Sequence, residues 1–534
     1  MFRYVPWLVI CLIAVICAVF WRDYIWLVYM GIPAGALAIL GFYDMVQRSH
    51  ALWRNFPVIA RIRWIAEELR PFLRSYIVES ETEGRPFNNE ERAMVYRRAK
   101  DVTSVEPFGS HLDIDRPPYE WLAHSIAAKH TENNDPRVLI GAPGTPQPYS
   151  ASIFNISAMS FGALGAHAIE ALSKGAAMGG FYHDTGEGGV SRYHKRGGAD
   201  LVWELGSGYF GCRAKDGGFD AVRFEDTARD PQIKMIEIKL SQGAKPGHGG
   251  VLPGEKVTEE IAEARGIEVG ETCVSPPAHS AFSTPIEMLE FAAKLRELSG
   301  GKPVGIKFAV GNRWETLAIC KAMLETGLRV DFMVVDGGEG GTGAAPAEFL
   351  DHVGAPLRQG LVLTRNALVG TGLKDDVKLG CSGKQISAFS IASSMALGAD
   401  WINTARGFMF ALGCIQSLNC HNNTCPTGIA TSDKSRQRGL VVDDKAVRVR
   451  NFHHNTMNAL MEVVGAAGCS HPSELTPRHI MHRVTEDIIY SAERAYQLVK
   501  PGELLDAPEE TSLAHEWDMA QAHTFVPRGL RAAR

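Results

Sequence analysis

Cysteine is scarce for a chain of this length, ten among 534 residues, which excludes the disulfide framework of a small secreted scaffold. Neither sign of charge dominates. A formal net charge of -5 with 22% charged residues leaves no basic stripe, so nucleic acid is not an expected partner. Nor is there a G-x-G-x-x-G followed by the acidic residue that a nicotinamide-binding fold requires. What remains is an ordinary globular composition, 45% apolar, with ample chain for one large α/β barrel of roughly 250 residues plus extensions. Its 54 glycines cluster, as in Gly337-Gly338-Glu339-Gly340-Gly341, where a backbone turns tightly or approaches a ligand.

Val5 to Trp21 is an apolar run of 17 residues and Tyr24 to Tyr43 a second of 20, separated only by Arg22-Asp23. At roughly 1.5 Å per residue each approaches the ~30 Å of a bilayer core, and aromatic residues (Trp7, Trp21, Tyr24, Trp26, Phe42, Tyr43) lie toward the ends. A two-helix transmembrane hairpin over residues 1–45 is expected. Arg48, Arg54, Arg61 and Arg63 follow it, against one arginine between the runs, which places both chain ends in the cytoplasm at the inner membrane. A signal peptide fits poorly, because only Arg3 precedes the first run and no small-x-small site follows. Residues 46–150 read as a helical connector packing on the barrel or lying over the membrane surface, and 436–534 as a C-terminal helical extension.

From residue 151 short β-rich runs end in Gly- or Ser-rich loops and alternate with helical stretches. The expected strands are Ser152–Ser157, Gly180–Asp184, Lys234–Leu240, Glu271–Val274, Pro303–Phe308, Val330–Val335, Val377–Leu379 and Asp400–Thr404. Eight strands with crossovers predict an α/β fold, a closed (β/α)8 TIM barrel over 151–435, with its site at the C-terminal strand ends. Lys239 and Lys307 end two of these strands and either could stabilise an anion at the mouth. Each could equally be a charge paired with a barrel carboxylate. Glu187, flanked by glycines, could hold an ammonium or relay its protons, or merely cap neighbouring N–H groups. Cys414-x5-Cys420-x4-Cys425 supplies three thiols without a close fourth, which suits an iron–sulfur cluster better than four-coordinate structural zinc.

The segments Ser157-Ala158-Met159-Ser160-Phe161-Gly162, Gly186-Glu187-Gly188-Gly189, Gln242-Gly243-Ala244-Lys245-Pro246-Gly247, Val274-Ser275-Pro276-Pro277, Gly340-Gly341-Thr342-Gly343-Ala344 and Cys420-His421-Asn422-Asn423-Thr424-Cys425-Pro426 resemble, in wording and order, the synthase domain of glutamate synthase. The resemblance covers roughly residues 150–435. It implies FMN at the C-terminal face, contacted by Ser157, Met159, Ser160, Lys239, Gln242, Lys307, Gly340, Gly341 and Thr342, with phosphate toward Gly380, Ser382, Gly383, Lys384, Arg406 and Gly407. It implies a 3Fe-4S cluster on Cys414, Cys420 and Cys425, and catalysis by Glu187, Lys239, Gln242 and Lys245. One departure is His248, where the family usually has a second acidic residue. The resemblance further implies reductive amination of 2-oxoglutarate with ammonia, or of a related oxo acid and amine. Electrons would come from a donor such as ferredoxin or a membrane carrier. Complete family members also carry a glutaminase domain with an N-terminal cysteine and a β-helix, neither of which is found here, so a separate amidotransferase subunit is a possible partner. A membrane electron-transfer subunit is the alternative reading.

Overall fold

The computed structural model describes residues 2–103, 105–131 and 133–529, and the chain divides into two compact units, Met1–Asn89 and Glu90–Arg534. The second is built on eight parallel strands: β1 (Phe154–Ile156), β2 (His183–Asp184), β3 (Leu201–Leu205), β4 (Ile233–Lys239), β5 (Val304–Phe308), β6 (Phe332–Asp336), β7 (Lys378–Ser382) and β8 (Trp401–Thr404). They close into a barrel in chain order, with β8 pairing back to β1. β3 and β5 are buried at every position, as expected of strands covered on both faces.

The crossover helices start and stop where local chemistry dictates. Thr284 and Glu287 form a reciprocal capping box at Pro285–Leu298, and Pro285 occupies its first turn. Ser387 and Ser390 do the same at Ala388–Ala396. Gly180 and Gly327 end their helices in the left-handed conformation that glycine adopts without penalty.

The strand count is eight, but the membership differs from the sequence expectation. Leu201–Leu205 supplies β3, whereas Cys273–Val274 pairs antiparallel with Val251–Leu252 outside the barrel. Its antiparallel partner puts it in a two-stranded sheet of its own, whereas every neighbour within the barrel runs parallel. A helix of only six residues, Arg192–Gly197, suffices to bring β3 beside β2.

Side chains alternate across each strand, so every second residue faces the barrel axis. Toward the N-terminal ends the filling is apolar: Tyr182, Val202, Met235, Phe332, Val334 and Trp401 form one cluster with Ile140, Tyr149 and Ala151 of the antiparallel pair Arg137–Ile140 and Tyr149–Ser152. One step further along come Asp184, Glu204, Glu237 and Lys307, all buried. The core thus changes from greasy to ionic on approaching the mouth.

Outside the barrel the helical expectation holds only in part. Beyond Ala99 no helix occurs before Ala166 among the described residues. After the 25-residue helix Val442–Ala466 the chain forms strands Ile480–Arg483 and Ile489–Ser491, which build a three-stranded antiparallel sheet with Glu120–Leu122. The long helix crosses Ala166–Gly179 closely at Gly175, whose absent Cβ would lie 2.6 Å from Ala446 O and Val449.

In the first unit, helices Val5–Phe20 and Leu27–Val46 run antiparallel. Trp7 Nε1 donates to Ala38 O at 3.0 Å, and a Cβ on Gly41 would meet the Trp7 ring at 2.1 Å. Leu27–Val46 is long and apolar enough to cross a membrane, and Val5–Phe20, with 16 residues, is a shorter apolar helix.

Candidate active site

Lys239, the last residue of β4, is the hub of the barrel mouth. Its Nζ lies 3.0 Å from Glu187, which follows β2 by three residues, and 3.8 Å from Glu204 on β3. It also donates to Gln242 Oε1 at 3.0 Å. Lys245 donates to Ala344 O at 2.9 Å and its charge acts on Glu187. The four residues expected to carry catalysis, Glu187, Lys239, Gln242 and Lys245, therefore line one small cavity, with Ser207, Pro276 and Pro277 completing its wall. Its volume is about 20 Å³, room for about one water.

Burial would raise the Glu187 carboxyl, but the charge and hydrogen bond of Lys239, with Arg265 and Lys245 beyond, hold it below the ordinary carboxylate range. Glu187 is thus an anion at neutral pH. The Lys239 backbone is fixed from behind by His279, whose Nε2 meets Lys239 O at 2.9 Å and whose Nδ1 meets Tyr209 OH at 3.2 Å. Burial lowers the His279 pKa to about 4, so the ring is neutral.

Lys307, expected to contact a cofactor, does not line that cavity. It forms an ion pair with Glu204 inside the barrel and lies 3.6 Å from Glu237. Lys307 pairs with Lys239 across β5 and β4, and its side chain meets the β3 carboxylate Glu204. Burial would lower its pKa, but Glu204, Glu237 and Asp184 together raise it well above the usual value, so it stays charged. Asp184 is pushed up to about 7, by burial first and then by Glu204, and Glu237 is raised by burial and by Asp184. Sequence reasoning misses Asp184, Glu204 and Glu237. Their only signal is an acidic residue within an otherwise apolar strand.

At the ends of β6 to β8 a second group converges. Ser382 donates to Asp336 at 2.6 Å, and Asp336 also accepts from the Gly243 N–H at 2.7 Å. Gly383 has φ +134° and a Cβ on it would stand 3.3 Å from Gly337, while the Arg406 side chain fills the space a Cβ on Gly341 would need, at 2.8 Å. Arg406 donates to Glu339 O at 2.5 Å. Gly340, Gly341, Ser382, Gly383 and Arg406 are therefore neighbours. Thr342 is exposed on the same loop. Gly380 is not part of this group: its missing Cβ leaves room for the Trp401 ring at 2.5 Å inside the barrel. Lys384, at φ +53°, pairs with Glu91 at 3.2 Å. Gly407 packs under Thr404, Ile386 and Phe452. Ser157 and Met159 leave β1 with N–H groups bonded to Thr404 O and Asp184 O, and Ser160 follows in the same turn.

The cysteine loop follows β8 and helix Arg406–Leu412. Gln416, Leu418 and Asn423 all have positive φ, so the loop is tightly folded. Burial would raise the Cys425 thiol, but backbone N–H groups of Ala430, Thr427 and Ile429 and the Thr427 hydroxyl bring it down. Buried Lys256 donates to Ala163 O, Cys420 O and Ala430 O and faces Cys420 and Cys425, while the Arg92 charge acts on Cys414. The three sulfurs influence one another electrostatically yet do not all lie within 4.8 Å.

A larger groove of about 700 Å³ lies at the N-terminal strand ends, lined by Tyr149, Asp200, Ile233 and Lys302. That is the face opposite the one where barrels of this kind do chemistry.

The conserved region in glutamate synthase matches residues 126–470. Glutamate synthase large subunit-like protein YerD of Bacillus subtilis (strain 168) is 37% identical over 495 residues, 85% of this chain and 94% of that protein. The archaeal glutamate synthase (NADPH) of Methanocaldococcus jannaschii is 33% identical over 314 residues, 59% of this chain and 58% of that protein. The chain thus matches nearly the whole of the first and little more than half of the second. Barrel and matches define the class, a (β/α)8-barrel oxidoreductase acting on CH–NH2 groups. The chain belongs to the glutamate synthase family.

Proposed function

We propose that the protein is a glutamate-synthase-type oxidoreductase that reductively aminates 2-oxoglutarate to glutamate, using FMN, a 3Fe-4S cluster and an external electron donor. The observation that carries this reading is the convergence of Lys239, Lys245, Gln242 and ionised Glu187 on one cavity at the C-terminal mouth. Two lysines and an amide suit a dicarboxylate, and an anionic carboxylate between them suits an ammonium or its proton.

The residues present fit FMN. Ser382, Arg406 and the glycines Gly340, Gly341 and Gly383 offer a hydroxyl, a cation and backbone without side chains for a phosphate. Gly343, with no atom within 4 Å of where a Cβ would stand, leaves the same loop open. When bound, the flavin supplies hydride chemistry. Lys239 would hold the substrate carboxylate or carbonyl oxygen at the mouth, and His279 keeps Lys239 in place. Glu187 would accept a proton from ammonium as the C–N bond forms.

The cysteine loop fits an anionic cluster. N–H donors gather on Cys425, and the cations Lys256 and Arg92 flank the loop, surroundings that suit an anionic polynuclear centre. When bound, the cluster supplies single-electron transfer. Ferredoxin or a membrane carrier is the proposed donor, and a separate amidotransferase subunit the proposed source of ammonia. The apolar hairpin supports anchoring in the inner membrane with the barrel in the cytoplasm.

A second reading, an FMN and iron–sulfur oxidoreductase for another imine or amine, rests on His248, which stands 5.0 Å from the Phe349 ring beside the catalytic loop. The experiment is single-turnover reoxidation of the chemically reduced holoenzyme without oxygen. 2-Oxoglutarate with ammonium should reoxidise it and yield glutamate. Reoxidation only by another oxo acid and amine would replace the substrate assignment, and none by any pair would favour an electron-transfer subunit.

A further inference from the structure

Helix Arg61–Leu73 and the turn that continues it to Val78 carry two opposed stripes. Ile62, Ile65, Leu69, Phe72 and Tyr76 recur at the three- and four-residue steps of one helical face. All are exposed, Ile65 by 56% and Leu69 by 49%. Arg63, Glu67, Arg70 and Arg74 form the other stripe, about 150° away at 100° per residue. A helix whose apolar face is uncovered needs an apolar neighbour.

Three observations say which. First, Asp44, fully buried near the end of the span Leu27–Val46, accepts from Arg61 at 2.6 Å and from the Val58 N–H at 3.0 Å. The first residue of the amphipathic helix is thereby pinned to the level where the span ends. Second, Arg61 sits 4.1 Å over the Trp53 ring, a pairing of aromatic and cation suited to a headgroup layer. Third, residues 46–78 hold six arginines against two glutamates, and guanidinium binds phosphate bidentately.

We propose that Arg61–Leu73 lies in the membrane plane, with Ile62, Ile65, Leu69 and Phe72 among the lipid headgroups and Arg63, Arg70 and Arg74 bound to anionic lipid phosphates. This inference rests on the reading of Leu27–Val46 as a membrane span. Its partner is a bilayer surface rich in acidic lipid, which cationic amphipathic helices bind through apolar burial and charge together.

The test places an environment-sensitive fluorescent amino acid at Ile65, at Glu67 or at Ile39 of the full chain. Each protein is reconstituted in phosphatidylcholine vesicles with and without phosphatidylglycerol, containing lipids spin-labelled near the headgroup or near the chain end. Position 65 should emit to the blue and be quenched more by the shallow label, and position 67 should not. Removing phosphatidylglycerol, or combining Arg63→Glu, Arg70→Glu and Arg74→Glu, should weaken quenching at 65 several-fold. Position 39 should be quenched more by the deep label, which tests the span separately. Blue emission at 65 without lipid quenching would assign the stripe to a protein partner and overturn the proposal, as would water-like emission at 65. If position 39 also lacks deep quenching, the span reading fails as well.

Discussion

Lys239 meets Glu187, Glu204 and Gln242 at once, so its loss removes a charge and leaves Glu187 without its nearest cation. Lys239→Ala should slow hydride transfer on the order of 100-fold or more, by analogy with removed oxyanion donors, and stopped-flow flavin absorbance checks it. Glu187→Gln keeps the shape but cannot accept a proton, so the deficit should appear chiefly in the ammonium dependence of the rate. Asp184 makes a different prediction. Its folded pKa is raised to about 7, by burial first and then by Glu204, from an unfolded value near ~3.9. Between those values the folded state binds the extra proton, so this group's contribution falls as pH rises from about 4 through 7. Asp184→Asn should give a flatter Tm between about pH 4 and 8 than the wild type, with its relative gain at the alkaline end. A Tm profile of unchanged slope would contradict the raised pKa of Asp184.

At the scale of elements, β3, β4 and β5 are joined through Glu204, Glu237 and Lys307 as well as through backbone bonds. Lys307→Met leaves two buried carboxylates without their cation, which typically costs about 3–5 kcal/mol. Lys307→Met combined with Glu204→Leu should cost less than Lys307→Met alone, and chemical denaturation of the three proteins measures the difference. The cysteine loop is a separate element. It follows β8 and takes no part in the lysine-lined cavity, so Cys420→Ala should lose iron and its oxidised paramagnetic signal while retaining FMN. Equal iron in variant and wild type would refute the cluster.

For the whole molecule, the two compact units meet the bilayer question differently. Deleting residues 1–46 removes the apolar hairpin but keeps the amphipathic helix, and the product should stay on acidic vesicles at low salt and leave them at high salt. Deleting 1–78 should release a soluble, folded barrel. Flotation at two salt concentrations separates these outcomes, and a 1–46 deletion that is soluble at every salt concentration would count against surface binding.

The kind of fold and most of the mouth follow from residue order alone. Short apolar runs ending in glycine loops require a parallel barrel, and residues just after each run, such as Glu187, Gln242, Lys245 and Gly383, must lie at one face because all strands run the same way. The apolar lengths 5–21 and 24–43 likewise predict two helices, and helices Val5–Phe20 and Leu27–Val46 form there. Which runs become barrel strands is settled only by the folded chain. Leu201–Leu205 and Cys273–Val274 are both short and apolar, and the difference lies in which neighbours they can reach. The folded chain also separates Lys239, which lines the cavity, from Lys307, which does not, although the two lie on neighbouring strands and pair in register. Both lysines approach Glu204, and their roles depend on the second carboxylate, Glu187 at Lys239 and Glu237 at Lys307, a distance across the barrel that sequence spacing does not encode.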